Sequence, residues 1–172
     1  MIPLSSAISS GLSWAKLPRG RGYELRWDGE VVGTLHRPSF WCTKFLAESQ
    51  DGQWTFRRGG CLGTGSEIVD SASDQPIATF KSSWGSGGIL TFADGQVFHL
   101  ECKGWWRPVW SVKTETGVPV LQLHSREKTV DLPTGAAVHD GRRSLLILFA
   151  WYRMLQAEED AASAAVMVAA IS

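Results

Sequence analysis

The segment Lys103-Gly-Trp-Trp-Arg-Pro108 places two tryptophans between two cations. An exposed indole beside Lys or Arg suits a membrane interface, where the ring lies at headgroup level and the cations meet phosphates. The same side chains can stack on a nucleobase or a sugar. Neighbouring side chains of an extended chain point to opposite faces, so we expect one of Trp105 and Trp106 in the core and the other outside. Lys103, Trp105, Trp106 and Arg107 are therefore candidate ligands of a phospholipid headgroup.

Two further groups combine cations with aromatic residues. Arg57 and Arg58 follow Trp54 and Phe56, and Lys81 precedes Trp84 by three positions. We expect Arg57 and Arg58 to assist in binding the same headgroup. A structural alternative applies to all these groups, because tryptophan favours strands and a neighbouring Lys or Arg can simply cover the rim of a sheet.

The segment Gly60-Cys-Leu-Gly-Thr-Gly65-Ser66 has the glycine spacing of a phosphate-binding P-loop. It lacks the lysine that reaches the phosphates, and residues 67–70 have the pattern of a strand instead of a helix. We therefore expect an ordinary loop between strands.

Histidines and cysteines are too scattered to predict a metal site or a nucleophile. They are His36, His99, His124, His139, Cys42, Cys61 and Cys102. His99 and Cys102 are three apart in an expected strand and so face opposite sides, with Cys102 pointing inward. The acids Glu158, Glu159 and Asp160 have the pattern of a solvated helix end. The sequence therefore predicts no catalytic residue, metal or cofactor, and the protein is not expected to be an enzyme.

Composition narrows the classes of partner and the compartment. The chain has 172 residues, nine tryptophans, and 17 Lys and Arg against 17 Asp and Glu. A zero net charge argues against a nucleic-acid partner, because phosphate binding needs an excess of clustered cations. The first twenty residues lack the pattern of a secretory signal, and the odd number of cysteines fits reduced thiols. We expect a cytoplasmic protein that can lie peripherally at the membrane.

Residues 23–132 alternate apolar and polar positions in short runs separated by Gly-containing turns such as Asp28-Gly29, Asp51-Gly52 and Asp94-Gly95. This pattern predicts ten to twelve strands, and their short connections require antiparallel pairing. Residues 1–22 show no such period and are expected to form a loosely ordered arm.

A different pattern predicts a helix over 144–157, with Ser144 as a candidate N-cap. Residues 145–152 are apolar on every side, which is typical of a helix that is buried all round. Residues 145–155 would rise about 16 Å, well short of a bilayer crossing. A barrel of about twelve strands is wide enough to hold such a helix. The predicted fold is mainly β: a closed antiparallel β-barrel of about 12 strands enclosing a hydrophobic C-terminal α-helix, over residues 23–157.

The strands that begin with Trp or Tyr, the Asp-Gly and Thr-Gly turns and the helix segment Ala150-Trp151-Tyr152 resemble the tubby C-terminal-like superfamily. That superfamily includes the LURP-one-related proteins, the phospholipid scramblases and small bacterial members. The resemblance covers residues 22–157 and implies a twelve-stranded barrel around a central helix. It also implies binding of phosphoinositide headgroups by surface cations, although the basic positions of the family do not match this chain residue by residue.

The leading functional expectation is a non-enzymatic barrel that binds an anionic phospholipid headgroup or membrane surface. Residues 158–172 are acidic and then Ala-rich, and are expected to form a tail. The alternative is a protein–protein or homo-oligomerisation module that uses the Ala-rich segment 161–171 against a partner or a second copy.

Overall fold

The computed structural model describes residues 3–4, 11–18, 22–39, 43–59, 65–83, 86–135 and 138–171. Strands occupy most of the chain before residue 132, and one helix, α1 (Asp140–Ile171), follows them. The strands are β1 (Leu12–Lys16), β2 (Gly22–Trp27), β3 (Glu30–His36), β4 (Lys44–Ser49), β5 (Gly52–Gly59), β6 (Gly65–Asp70), β7 (Gln75–Ser82), β8 (Gly88–Phe92), β9 (Val97–Lys103), β10 (Val109–Thr114), β11 (Pro119–His124) and β12 (Thr129–Asp131).

All twelve strands form one closed antiparallel barrel in which each strand pairs with its neighbours in sequence. The predicted fold class is therefore confirmed. β1 closes the ring by pairing with both β12 and β2, as in the register Leu12 to Val130 and Leu12 to Trp27. The prediction of a loosely ordered arm is wrong for residues 12–16, because Leu12 and Trp14 are buried in the core and their backbone completes the sheet.

The hairpin turns explain why the strands follow one another without crossovers. Asp28 and Gly29, at the tip between β2 and β3, both have positive φ, 48° and 81°. A two-residue turn with this conformation matches the twist of the strands it joins, and Asp-Gly adopts it at little cost. Gly95 and Gly117 take positive φ in the corresponding turns before β9 and β11.

The first half of α1 runs through the barrel and supplies the centre of the core. Every residue from Leu145 to Tyr152 is buried. Trp151 packs against Trp14, with ring centroids 6.0 Å apart, while Tyr152 packs against Phe45 at 5.2 Å. Such tilted and edge-on aromatic pairs add to the stabilisation from burial alone. The helix is apolar on all sides because the barrel wall surrounds it.

Both ends of α1 differ from the prediction of 144–157. The helix begins at Asp140, and Ser144 is not an N-cap but a buried residue of the helix, whose hydroxyl donates to Asp51 Oδ2 at 2.7 Å. It continues to Ile171, so the expected tail is helical, since Ala-rich sequence favours helix over coil. A helix of 32 residues is about 48 Å long, which exceeds the depth of the barrel.

Antiparallel order determines which strand ends meet at each mouth of the barrel. α1 starts at the mouth where Arg142 binds Asp94 in the turn between β8 and β9. It leaves through the opposite mouth, where Asp160 binds Arg58 near the end of β5. We call this second mouth the helix-exit end: it comprises the last residues of β1, β3, β5, β7, β9 and β11 and the first residues of the strands that follow them.

Candidate functional site

The turn between β9 and β10, residues 104–108, lies at the helix-exit end and carries the two adjacent tryptophans. Trp105 is 94% exposed and Trp106 is 79% exposed. The expectation that one of them lies in the core is wrong, because the segment is a turn and not extended strand, so adjacent side chains need not alternate between faces. Both indoles therefore stand in solvent, which is unusual for residues of this size.

Gly104 determines the shape of this turn. Its φ is +91°, and a Cβ at this position would lie 2.6 Å from the carbonyl oxygen of Arg107. Only glycine tolerates both the left-handed backbone and this approach. The tight turn places Trp105 and Trp106 outside the barrel wall, so their exposure follows from the backbone conformation of the turn.

The cations on either side of the tryptophans form exposed ion pairs. Lys103 Nζ lies 3.4 Å from Glu101, and Arg107 Nη1 lies 3.9 Å from Glu127. A hydrogen bond from Lys113 is the main cause of a lowered pKa at Glu101, followed by Lys103 itself. Ion pairs this exposed contribute little to stability, so Lys103 and Arg107 can exchange their partners for an external anion.

The turn between β11 and β12 adds cations that the sequence analysis missed. Arg126 and Lys128 are exposed, and Lys128 takes a positive φ of 57° that closes the turn. The Arg107–Glu127 ion pair connects this turn to the tryptophan turn. The two cations are visible in the sequence as the segment Ser-Arg-Glu-Lys at 125–128. Their position next to the tryptophan turn depends on the pairing of β10 with β11, which the sequence pattern does not show.

Arg57 and Arg58 lie at the same end of the barrel but are not part of this cluster. Strands β6, β7 and β8 separate β5 from β9. Side chains alternate along β5, so Arg57 faces outward and binds Asp74 at 2.9 Å, whereas Arg58 faces the mouth and binds Asp160 at 3.2 Å.

The aromatic residues expected beside these arginines do not form an exposed group. Trp54 and Phe56 are buried in the core, and Trp84, the expected partner of Lys81, lies outside the described residues. The residues 60–64 of the P-loop-like segment also lie outside the described residues, and β6 begins at Gly65 as a strand, as the sequence predicted.

The end of α1 projects beyond the barrel at the helix-exit end. Every residue from Glu158 to Met167 is exposed. The three acids at its base each bind a different part of the rim: Glu158 accepts a hydrogen bond from Ser125, Glu159 lies 2.6 Å from Arg37, and Asp160 pairs with Arg58. The acidic segment is thus solvated, as expected, and it also fixes the helix in the mouth.

Beyond these acids, residues 161–171 contain no charged residue, and Val166 and Met167 are 70% and 67% exposed. We define residues 161–171 as the projecting segment. It leaves the barrel at the same end as the tryptophan turn, and its residues 161–167 are a second exposed, mainly apolar feature. No helix in the described part of the chain is long and apolar enough to span a bilayer.

The candidates for redox or metal chemistry do not converge. Cys102 is a free thiol that packs against the core, as predicted, and burial raises its pKa. Cys42 and Cys61 lie outside the described residues. His124 binds Asp131 at 2.9 Å on the barrel wall. Within the described ranges, no group of three or more His, Cys, Asp and Glu side chains is arranged to hold a metal ion.

Comparison with protein-family models, with curated proteins and with solved structures found no match to this chain.

Proposed function

We propose that this protein is a non-enzymatic barrel that docks its helix-exit end on an anionic phospholipid surface. The observation that carries the proposal is the exposure of two adjacent tryptophans, 94% and 79%, among the cations Lys103, Arg107, Arg126 and Lys128. Indoles are favoured at the level of lipid headgroups, and Lys and Arg near an anionic leaflet contribute about 1 kcal/mol each. Docking by the tryptophan turn does not require Arg57 and Arg58: Arg57 reaches Asp74 in the turn between β6 and β7 at the opposite mouth, and Arg58 binds Asp160.

The projecting segment supports the same orientation. Eleven helical residues rise about 16 Å, which is roughly half of a 30 Å hydrocarbon core. An uncharged helix of this length can enter one leaflet without crossing the bilayer. The acids Glu158, Glu159 and Asp160 stay bound to the rim, so they would remain at headgroup level.

Co-sedimentation with vesicles tests this proposal. We expect the protein to bind anionic vesicles at low salt and not to bind neutral ones. The double variant Trp105→Ala/Trp106→Ala should bind roughly tenfold or more weakly, since each indole buries on the order of 150–250 Å². The double variant Lys103→Ala/Arg107→Ala should bind anionic vesicles more weakly by a similar factor, because it removes two cations.

Arg26→Gln is the matched control, because Arg26 is an exposed, ion-paired arginine next to the turn at the opposite end of the barrel. This variant should bind vesicles like the parent chain. No binding to anionic vesicles, or unchanged binding in both double variants, would refute membrane docking.

We also propose that the chain is related to the tubby C-terminal-like superfamily, on the strength of the Ala150-Trp151-Tyr152 helix and the closed twelve-stranded barrel around it. A cytoplasmic location with peripheral membrane attachment is part of the same proposal. Lipid binding by such a protein would need no cofactor.

A second candidate function is self-association or binding of a protein partner through the projecting segment. The observation that favours it is the run of exposed side chains from Ala161 to Met167. Light scattering separates the two functions: if the segment mediates association, the full chain is an oligomer and a chain that ends at Ala161 is a monomer with the same unfolding midpoint. A monomeric full chain would refute this candidate.

A further inference from the structure

The mouth of the barrel contains a cation that lacks a carboxylate partner. Arg153, one turn before the helix leaves the barrel, donates to Gln156 Oε1 at 2.8 Å and to Ser82 Oγ at 3.4 Å. Its guanidinium carbon lies 4.8 Å from the centre of the Phe80 ring, and its Nε is buried without a hydrogen-bond partner among the described residues. Burial lowers the pKa of Arg153 more than any other effect does.

The sequence leaves no carboxylate to complete this site. Every Asp and Glu lies within the described ranges, and none of the described carboxylates forms an ion pair with Arg153. Asp160 is the acid nearest in sequence on the exit side, and it binds Arg58. The side chain of Asp140 is not described, but thirteen helical residues, about 20 Å, separate it from Arg153. The charge of Asp160 also acts on Arg153 from beyond ion-pair distance, so Arg153 has a remote counter-charge but no described carboxylate in contact with it. A partly buried guanidinium without a carboxylate in contact is costly.

Two buried hydroxyls near Arg153 have no hydrogen bond of good geometry to a described residue. They are Ser66 Oγ and Tyr152 Oη; burial raises the pKa of Tyr152, whereas the nearby side chains of Ser66 and Gln156 act to lower it. Ser66 is 4% exposed and Tyr152 is fully buried. Hydroxyls in such places are usually satisfied. Ser66 also lines a cleft at this mouth, so its hydroxyl is the one that an acceptor bound there could reach.

The cleft, of about 680 Å³, opens to solvent beside Arg153, and Ser66 is one of the residues that line it. Its walls are the ends of β5, β6 and β7 and include Arg58, Ser66, Phe80 and Ser82. Ser82 and Phe80 are the two wall residues that contact Arg153. Lys81 and Arg57 stand at its outer rim with a single acid, Glu67. The groups that face the cleft are therefore mainly donors and cations.

We infer that this cleft binds an oxyanion of the phosphate or phosphomonoester class. Arg58, Ser66 and Ser82, which line the cleft, would hold it together with Arg153, which contacts the wall residues Ser82 and Phe80. A guanidinium is a planar fork of donors that matches two oxygens of such an anion, and bonds between charged groups are the strong ones. Phosphate offers only acceptors when fully ionised, which fits a cleft whose polar lining is mainly cations and hydroxyl donors, with Glu67 as its one acid. The inference is independent of membrane docking, which uses the tryptophan turn.

The test is titration calorimetry of the full chain with inorganic phosphate. We expect saturable binding of one phosphate per chain. Arg153→Gln should weaken it about 10–100-fold, because a hydrogen bond between charged groups is lost. Ser66→Ala should weaken it severalfold, since it removes one neutral donor. Arg26→Gln, at the other end of the barrel, should bind phosphate like the parent chain.

The source of the anion is decided by two further probes. Binding of glycerol phosphate at least as tight as that of inorganic phosphate identifies a soluble phosphomonoester, whereas Arg153-dependent binding to vesicles that contain phosphatidic acid identifies a lipid headgroup. Both results support the site. It is overturned if phosphate does not bind, or if Arg153→Gln binds it as well as the parent. Should Arg153→Gln fail to fold, unchanged phosphate binding by Arg58→Gln and Ser66→Ala overturns it equally.

Discussion

Single side chains of α1 determine how tightly the helix fills the barrel. Leu148 is fully buried and faces Gly33 on β3, where an added Cβ would lie only 3.1 Å from Leu148 Cδ2. Because Gly33 has no side chain, Leu148 can fill the space next to β3. Interiors are packed this closely throughout, so the wall and the helix cannot easily relax into a void.

Leu148→Ala should lower the free energy of unfolding by about 2–5 kcal/mol, because it removes buried methyl groups and leaves a cavity between helix and wall. Urea unfolding followed by tryptophan fluorescence measures this loss. Leu46→Ala is the matched control, since Leu46 is 39% exposed on β4 and its truncation should change stability by less than about 0.5 kcal/mol. Equal losses in the two variants would contradict the central position of the helix.

Among the elements of the fold, the five-residue strand β1 determines whether the barrel is closed. It is hydrogen-bonded to β2 on one side and to β12 on the other, so it is the strand that turns an open sheet into a barrel. Its inward residues Leu12 and Trp14 also cover the side of the helix that carries Trp151. An open sheet would present unpaired edges, which promote aggregation.

Deleting residues 1–16 should therefore prevent formation of a soluble monomer, even though residues 17–172 keep eleven strands and the helix. Size-exclusion chromatography and circular dichroism of the deleted chain provide the measurement. The control is the chain that ends at Ala161, which loses a comparable length from the other terminus without touching the sheet and should keep the parent's unfolding midpoint. A folded monomer after the N-terminal deletion would show that closure by β1 is dispensable.

For the molecule as a whole, 17 cations balance 17 acids, so the net charge is zero. The tryptophan turn, the cations at 126 and 128 and the projecting segment all lie at the helix-exit end. A neutral protein has no long-range attraction to an anionic surface, so any attraction must come from this local group and must act at short range.

Vesicle binding should therefore fall steeply with salt and then level off. Raising the salt from about 0.1 M to about 1 M shortens the screening length from about 10 Å to about 3 Å and removes the contribution of the cations. The indoles and the projecting segment are apolar, so the binding they support should persist. Co-sedimentation across this range measures both parts. Salt-independent binding would show that the cations do not participate.

The strand pattern, the turns and the all-round apolar helix were predictable because each depends on local periodicity. A helix without a polar face that is too short to cross a bilayer must be buried within the protein. The sequence by itself therefore determined the fold class and the identity of the core helix. Local periodicity gave wrong predictions in two places: residues 12–16 are a strand and not a loose arm, and neither Trp105 nor Trp106 is in the core. Closure by β1 depends on a partner more than a hundred residues away, and the exposure of both tryptophans depends on a turn set by Gly104.

Only the tertiary structure decided which groups meet. Adjacent positions such as Arg57 and Arg58 diverge because side chains of a strand alternate between faces. Positions far apart in the chain converge because barrel closure and the helix that threads it bring them to one mouth, as with Ser66 on β6 and Tyr152 and Arg153 on α1. Local periodicity contains no information about such pairs, since their contact depends on the register of twelve strands around one axis.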